Sequence, residues 1–323
     1  MDLMNPSTGS GNPTGSGSPT GSGTVLRRLT VANLVANMVI IWTGALVRLT
    51  KSGLGCATWP QCEPGSYVPT PEQGLHGAIE FGNRLLTFVL AAIALATAIA
   101  AWRAFRRGIA PLRLFELSIG VGLGIMAQAV IGGVSVLTQL DPWVVGLHMV
   151  ASVALMLICL RMVHIAHDVT PVPTRGVLYA LTRLVFLLGM VVIALGVVVT
   201  GSGPHSGDGA ATRNGFDPEW TSKIHAWAVW ALVALTVVAL VLAWSDARLR
   251  TMWLAVLATE LFQGVVGYVQ YFTHLPILLV LAHMVGTTLF TVALGHAWFG
   301  TRYADDPAAT TAVRGATEGA VRA

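Results

Sequence analysis

The sequence predicts an all-α polytopic membrane protein with eight transmembrane helices, arranged as two tandem four-helix bundles. Three observations support this fold class. Only 11% of the 323 residues are charged and 54% are hydrophobic, which leaves too little charge to cover a soluble protein. The apolar residues fall in runs of about 20, the length that crosses a bilayer core. The second half of the chain also repeats part of the first, as described below.

The apolar runs give eight predicted helices, and the short links between them are rich in turn-forming residues. Two examples are Asp-Pro-Trp at 141–143 and His-Leu-Pro at 274–276. The predicted runs are 29–49, 78–102, 112–138, 144–165, 177–200, 221–244, 251–272 and 276–299.

The distribution of Lys and Arg predicts the orientation. Fourteen of the 19 basic residues fall on one side of the predicted membrane, in or beside the even-to-odd inner links and the two tails. The positive-inside rule makes that side cytoplasmic, so both termini are expected inside. The net charge of +4 is therefore assigned to topology and lipid contact, and no nucleic-acid partner is expected.

The predicted organisation has two halves between two tails. Residues 1–25 and 304–323 are small and polar, which predicts disordered cytoplasmic tails. Between them lie an N-terminal half, 26–168, and a C-terminal half, 169–303. Each half has four helices, an even number, so both have the same orientation. We therefore expect a pseudo-two-fold axis along the membrane normal.

An internal repeat supports that division. The segment 128–150 aligns with 263–285 without a gap over 23 positions and with ten identities. In each segment a glutamine precedes a histidine by 20 residues, first as Gln128 and His148, then as Gln263 and His283. Glutamine and histidine are rare in apolar helices, so chance is a poor explanation.

Three histidines are predicted at one depth in the outer leaflet: His148, His225 and His283. A single histidine there is more often a hydrogen-bonded core residue than a ligand. However, His225 and His283 belong to the same half, and two facing imidazoles are typical of axial ligation of haem iron. Zinc or copper normally has further ligands. We expect His164, His167 and His296 to be interfacial or solvated.

The repeat also predicts a ligand position in the second helix. Matching IEFGNRLL with TSKIHAWA places Asn83 where the second half has His225. An amide is a poor iron ligand, so a haem in the N-terminal half is held firmly by His148 alone. That arrangement suits a substrate better than a permanent cofactor.

Polar residues surround Asn83 at the start of the second helix. Glu80 can stabilise a cationic carbon and accept its proton, and Arg84 can pair with Glu80 or with a haem propionate. The alternative is a structural ion pair between Glu80 and Arg84. His76 is either a ligand or proton relay, or a solvated surface residue. We expect Glu116 and Glu260 to be interfacial.

The first outer loop contains Cys56 and Cys62. On an oxidising outer face such a pair can form a disulfide; two free thiols are the alternative. Cys159 is expected to be an apolar core residue.

These features together resemble the haem A synthase family. The resemblance covers about 26–303 and lies in TGALVRLTKSGLGC…WPQC after the first helix, in IEFGNR in the second, and in the histidines that begin the fourth, sixth and eighth helices. The resemblance implies oxidation of a ring methyl group of haem O, through an alcohol, to the formyl group of haem A. It implies water as the oxygen source.

The resemblance also implies roles for individual residues. It assigns a haem b cofactor to His225 and His283, haem O to the half that contains His148, and an essential carboxylate to Glu80. It also implies a disulfide between the loop cysteines. The implied partners are haem O synthase (protohaem farnesyltransferase) and terminal oxidase assembly factors, in a bacterial cell membrane, with a homo-oligomer possible.

The sequence departs from the family pattern in two places. Many members have Glu-x-x-His-Arg where this chain has Asn83 before Arg84, and many have a second cysteine pair in the link that is 201–220 here. Two other classes of protein stay open. One is a b-type membrane cytochrome in quinol electron transfer without haem modification. The other is a transporter built from parallel repeats.

Overall fold

The computed structural model describes residues 21–205, 207–209 and 211–304, and these form eight long helices. The eight helices are α1 Gly21–Leu49, α2 Gly74–Arg106, α3 Leu112–Leu137, α4 Pro142–Ala166, α5 Gly176–Ser202, α6 Pro218–Leu242, α7 Ala247–Phe272 and α8 Ile277–Phe299. Each is long and apolar enough to cross a membrane. The prediction of an all-α, multi-pass membrane protein is confirmed.

The helix ends extend several predicted runs. Helix α1 begins at Gly21, inside the segment 1–25 that was predicted to be a tail, and α2 begins at Gly74. The remainder of the two predicted tails, 1–20 and 305–323, lies outside the described residues.

Aspartate caps fix three helix starts. Asp141, Asp217 and Asp246 each accept hydrogen bonds from two backbone N–H groups in the first turn of α4, α6 and α7. Proline follows at the first position of α4 and α6, where its missing N–H costs no hydrogen bond. These residues fix where the three helices begin.

The repeat extends to the helix boundaries. Helices α3 and α7 end at Leu137 and Phe272, and α4 and α8 begin at Pro142 and Ile277. These are the same pairs of positions that the ungapped sequence alignment matches. The two helical hairpins therefore correspond residue by residue.

The helices pack as two rings of four. Helix α1 packs on α2 and α4, and α3 packs on α2 and α4; the same order holds for α5–α8. Each half has its own hydrophobic core. Contacts of α1 with α8, α4 with α5 and α4 with α8 join the halves. The two-fold axis between the halves stays a prediction.

Lipid-facing and non-helical parts complete the fold. Many of the most exposed side chains on the helices are large and apolar, including Phe88, Leu123 and Leu278, as a surface in contact with lipid requires. Near the α4–α5 link and the end of α8, strands β1 Val172–Thr174 and β2 Thr301–Tyr303 pair in parallel. This short sheet ties the ends of the C-terminal half together, and the sequence did not predict it.

Candidate functional site

Four helix pairs place a polar side chain against a glycine of the neighbouring helix. A Cβ built on each glycine would lie 3.3–4.0 Å from the facing polar side chain, so these side chains occupy space that a larger residue would fill. The four pairs are Gly44 with Asn83, Gly132 with His148, Gly196 with His225 and Gly267 with His283. Three of the four positions are imidazoles, and the structure puts Asn83 in surroundings that match those of His225.

A glutamine holds the histidine-bearing helix in each half. Its Nε2 donates to the backbone oxygen of the histidine, at 3.0 Å in both halves, and to a hydroxyl one turn further along. The hydroxyl is Ser152 for Gln128 and Thr287 for Gln263. The same bonds in both halves fix the height of His148 and His283 relative to the neighbouring helix.

The three imidazoles have an unused polar atom. Nδ1 of His148, His225 and His283 is buried and lacks a hydrogen bond of normal geometry within the described residues. His225 on α6 and His283 on α8 belong to the same four-helix half. Buried polar groups without partners are rare and call for an explanation such as a bound group. The donor set, two neighbouring imidazoles in an apolar bundle, fits axial ligation of a haem.

Asn83 is engaged with helix α1. Its Oδ1 accepts a hydrogen bond of 2.7 Å from Thr43 Oγ1, beside Gly44. The amide therefore fills the fourth position with a hydrogen-bonded side chain that is a poor ligand for iron. At these four positions the N-terminal half presents one imidazole, His148, and the C-terminal half presents two, His225 and His283.

Glu80 is buried and fully paired. Its Oε2 accepts from the backbone N–H of Cys56 at 2.6 Å, and its Oε1 accepts from Arg84 at 2.6 and 3.2 Å. Arg84 also donates to the backbone oxygens of Cys56, Thr58 and Gln61. The ion pair that the structural alternative expects is thus present, and it anchors the outer loop to α2.

The loop is closed by the predicted disulfide. Cys56 and Cys62 are bonded and fully buried, with their Cα atoms 4.4 Å apart. The prediction of a disulfide is confirmed. Cys159 is a buried free thiol, as expected.

His76 lies at the outer edge of this region. Its Nδ1 is 2.9 Å from Ser52 Oγ, and the side chain is exposed. It lines a cavity of about 420 Å³ together with Lys51, Leu54, Gly55, Gln73, Asp208 and Gly209. His76 is one turn outward of Glu80 on α2, which places the cavity next to the carboxylate.

Two expectations about polar residues are wrong. Glu260 is buried near the middle of α7 and is not interfacial. His164 is also buried, and its Nε2 shares a hydrogen bond of 2.9 Å with Nδ1 of His296 across the two halves. Helices that are apolar on every side give no pattern that fixes which way one polar residue faces. For Glu260 the sequence did contain an indication, because Glu260 lies one turn before the repeat residue Gln263 and therefore on the same face of the helix.

Fold and site together define a class: a multi-pass membrane protein with two like helical halves, each presenting paired polar positions on facing helices. A model of the family of cytochrome oxidase assembly proteins matches residues 27–295. The chain belongs to this family.

Curated relatives are similar over shorter segments. The chain is 32% identical over 114 residues to the heme A synthase of Geobacillus kaustophilus, covering 35% of this chain and 34% of the relative. It is 36% identical over 127 residues to that of Lysinibacillus sphaericus, covering 38% and 39%. It is 27% identical over 161 residues to that of Alkalihalophilus pseudofirmus, covering 48% and 52%. The matched segments thus span about a third to a half of these relatives.

Proposed function

We propose that the protein is a haem A synthase that oxidises a ring methyl group of haem O to the formyl group of haem A. The observation that carries this proposal is the set of four glycine-backed positions, three of them imidazoles with an unpaired ring nitrogen. Membership of the cytochrome oxidase assembly family and similarity to curated heme A synthases support it.

The C-terminal half, residues 169–303, is proposed to hold a haem b cofactor between His225 and His283. When bound, such a haem accepts and passes on one electron at a time. The chain itself supplies two imidazoles on facing helices, a glycine behind each ring, and the Gln263 bond that holds α8 against α7.

The N-terminal half, residues 26–168, is proposed to bind haem O as substrate, with His148 as an axial ligand. Asn83 leaves the opposite face without a second imidazole. A haem held by one histidine leaves more readily than one held by two, which suits a substrate that must enter and a product that must depart.

The role proposed for Glu80 depends on the negative charge of its carboxylate. A methyl group and water give a hydroxymethyl group, two protons and two electrons. A second such step gives the hydrated aldehyde, which loses water. A carboxylate beside the reacting carbon stabilises developing positive charge and accepts a proton. Glu80 is held in place by Cys56 and Arg84, and Arg84 and His76 are proposed to border the haem O pocket.

The cellular setting completes the proposal. The protein is proposed to lie in a bacterial cell membrane with both termini in the cytoplasm, as the distribution of Lys and Arg indicates. It would receive haem O from haem O synthase and deliver haem A to terminal oxidase assembly, as a monomer or a homo-oligomer.

The test is the visible spectrum of the protein purified from cells that make haem O, followed by extraction and identification of its porphyrins. We expect haem b together with haem O and haem A. Haem b alone, without conversion of supplied haem O, would instead identify a b-type electron-transfer cytochrome. Purified protein that contains no haem would instead favour the third class, a transporter built from parallel repeats.

A further inference from the structure

A buried carboxyl in the C-terminal half has no role in the function proposed above. Glu260 lies near the middle of α7 and is 3% exposed. Its Oε1 accepts a hydrogen bond of 2.8 Å from Thr236 Oγ1 on α6. Its Oε2 is buried and has no hydrogen-bond partner within the described residues. An ionisable group at this depth is costly and is functional by default.

The fold does not require this polar pair. The repeat register places Ile125 where the second half has Glu260. In α2, counted from Asn83 as the counterpart of His225, Ala94 stands where α6 has Thr236. Ile125 and Ala94 are both buried in the N-terminal core. The same packing positions are therefore filled by apolar residues in one half and by a carboxyl and a hydroxyl in the other.

Glu260 lies on the part of α7 that supports the candidate cofactor site. Gln263, one turn outward, donates to the backbone oxygen of His283, and Gly267, two turns outward, packs against the imidazole of His283. Residues spaced by three and seven positions share one helix face. At 1.5 Å per residue, Glu260 is about 10 Å inward of Gly267, on the same side of the helix as the site.

No basic residue neutralises the carboxyl. Among the described residues Glu260 has no ion pair. In the part of the chain that the structure describes, α6 and α8 are the helices that pack closely on α7. The nearest titratable groups along these helices are His225 on α6, Arg250 and Tyr268 on α7, and His283 and His296 on α8. Because no cation is paired with it, the protonation state of Glu260 can change when the charge of the site two helical turns away changes.

We propose that Glu260 takes up a proton when the C-terminal haem is reduced and releases it when the haem is oxidised. The inference rests on the proposed function, which puts a haem between His225 and His283. Reduction adds one electron to iron, from the ferric to the ferrous state, and so adds one negative charge to an apolar bundle. Binding of one proton converts the carboxylate of Glu260 to a carboxylic acid and removes one negative charge. Oxidation of haem O supplies both the electron and the proton.

The experiment is a spectroscopic redox titration of the purified haem-loaded protein at several pH values, with a chemical reductant and mediators as the electron source. In the wild type we expect the midpoint potential of haem b to fall as pH rises, approaching about 59 mV per tenfold change in proton concentration for one proton per electron. Glu260→Gln, which keeps the size and a hydrogen bond to Thr236, should lose this slope. Glu116→Gln, an exposed carboxyl paired with Arg113, should keep it.

A second variant keeps the inference testable if Glu260→Gln fails to fold. Thr236→Val removes the donated hydrogen bond that favours the ionised carboxylate. The pH range over which the midpoint potential of haem b falls should therefore move to higher pH. The inference would be overturned if the midpoint potential fell equally with pH in the wild type and in Glu260→Gln. It would also be overturned if Thr236→Val left the dependence of the potential on pH unchanged. Those results leave haem b in place. Failure of the proposed function looks different, because the purified protein would then lack a haem that depends on His283.

Discussion

Glu80 is suited to two roles, catalysis and anchoring of the first loop, and one substitution can tell them apart. Both of its oxygens are hydrogen-bonded, one to the loop that the disulfide closes and one to Arg84. These bonds favour the charged form of the carboxylate and fix its position, as a charge-stabilising catalyst requires. They would equally serve a purely structural anchor. The two roles differ in what happens when the negative charge is removed and the shape is kept.

We therefore expect Glu80→Gln to retain haem b and to lose haem A formation. The amide still accepts a hydrogen bond from Cys56 N, but it can neither stabilise a cation nor take a proton. Loss of a general base typically costs about 10²–10⁴ in rate, so haem O or its alcohol should accumulate in porphyrin extracts. Glu116→Gln is the matched control and should behave as wild type. Haem A made at the wild-type rate by Glu80→Gln would reduce Glu80 to a structural partner of Arg84.

Asn83 offers a second test at the residue scale. Its side chain sits beside Gly44 and is hydrogen-bonded to Thr43, in surroundings that match those of His225 beside Gly196. Asn83→His should therefore place a second imidazole opposite His148. The absorption spectrum of bound haem O should shift towards the six-coordinate, low-spin form.

The competing ligand is tested by His76→Ala, which should leave haem O bound because His76 is exposed and borders the pocket only at its outer edge. An unchanged spectrum in Asn83→His, together with loss of binding in His76→Ala, would mean that His76 already fills the ligand place.

At the scale of the helices, the glycines set how closely the polar side chains approach the neighbouring helix. Gly267 faces the His283 imidazole, and a Cβ built there would lie 3.5 Å from its Cε1. Gly264, one turn away on α7, has nothing within 4 Å of a Cβ. The pair forms a matched comparison on one helix.

Gly267→Val should displace the imidazole of His283 and lower the haem b content of the purified protein, whereas Gly264→Val should retain it. Overpacking of this kind costs about 1–3 kcal/mol, enough to disturb one ligand without unfolding eight helices. The measurement is the haem b absorbance per protein. Equal haem content in the two variants would mean that the close approach at Gly267 does not position the ligand.

The sequence predicted much at this scale, for physical reasons. Run length and the positions of Asp, Pro and Gly located the helices, and the rare Gln and His residues exposed the repeat. It did not predict that Glu260 and His164 face inward, because apolar helices lack the periodicity that fixes rotation. The β1–β2 pair joins segments 129 residues apart in register, from Val172 to Thr301, and no local pattern in three-residue strands indicates such a partner.

The whole molecule consists of two similar halves with different chemical content. At the glycine-backed positions the N-terminal half has one imidazole and an amide, near the Glu80–Arg84 pair, whereas the C-terminal half has two imidazoles and, further along α7, the buried Glu260. Hydrogen bonds between Trp42 and Thr288 and between His164 and His296 cross the boundary between the halves. A duplicated scaffold of this kind can keep one site for a resident cofactor while the other exchanges a substrate. This division of roles is the central claim.

The most direct test is porphyrin extraction from His148→Ala and His283→Ala, purified from cells that make haem O. The two histidines are equivalent in the repeat, with the same glutamine bond and the same glycine contact, so each variant is the control for the other. The account predicts that His148→Ala keeps haem b and lacks haem O and haem A, whereas His283→Ala loses haem b. Loss of haem b in His148→Ala with its retention in His283→Ala, or identical porphyrins in both, would contradict it.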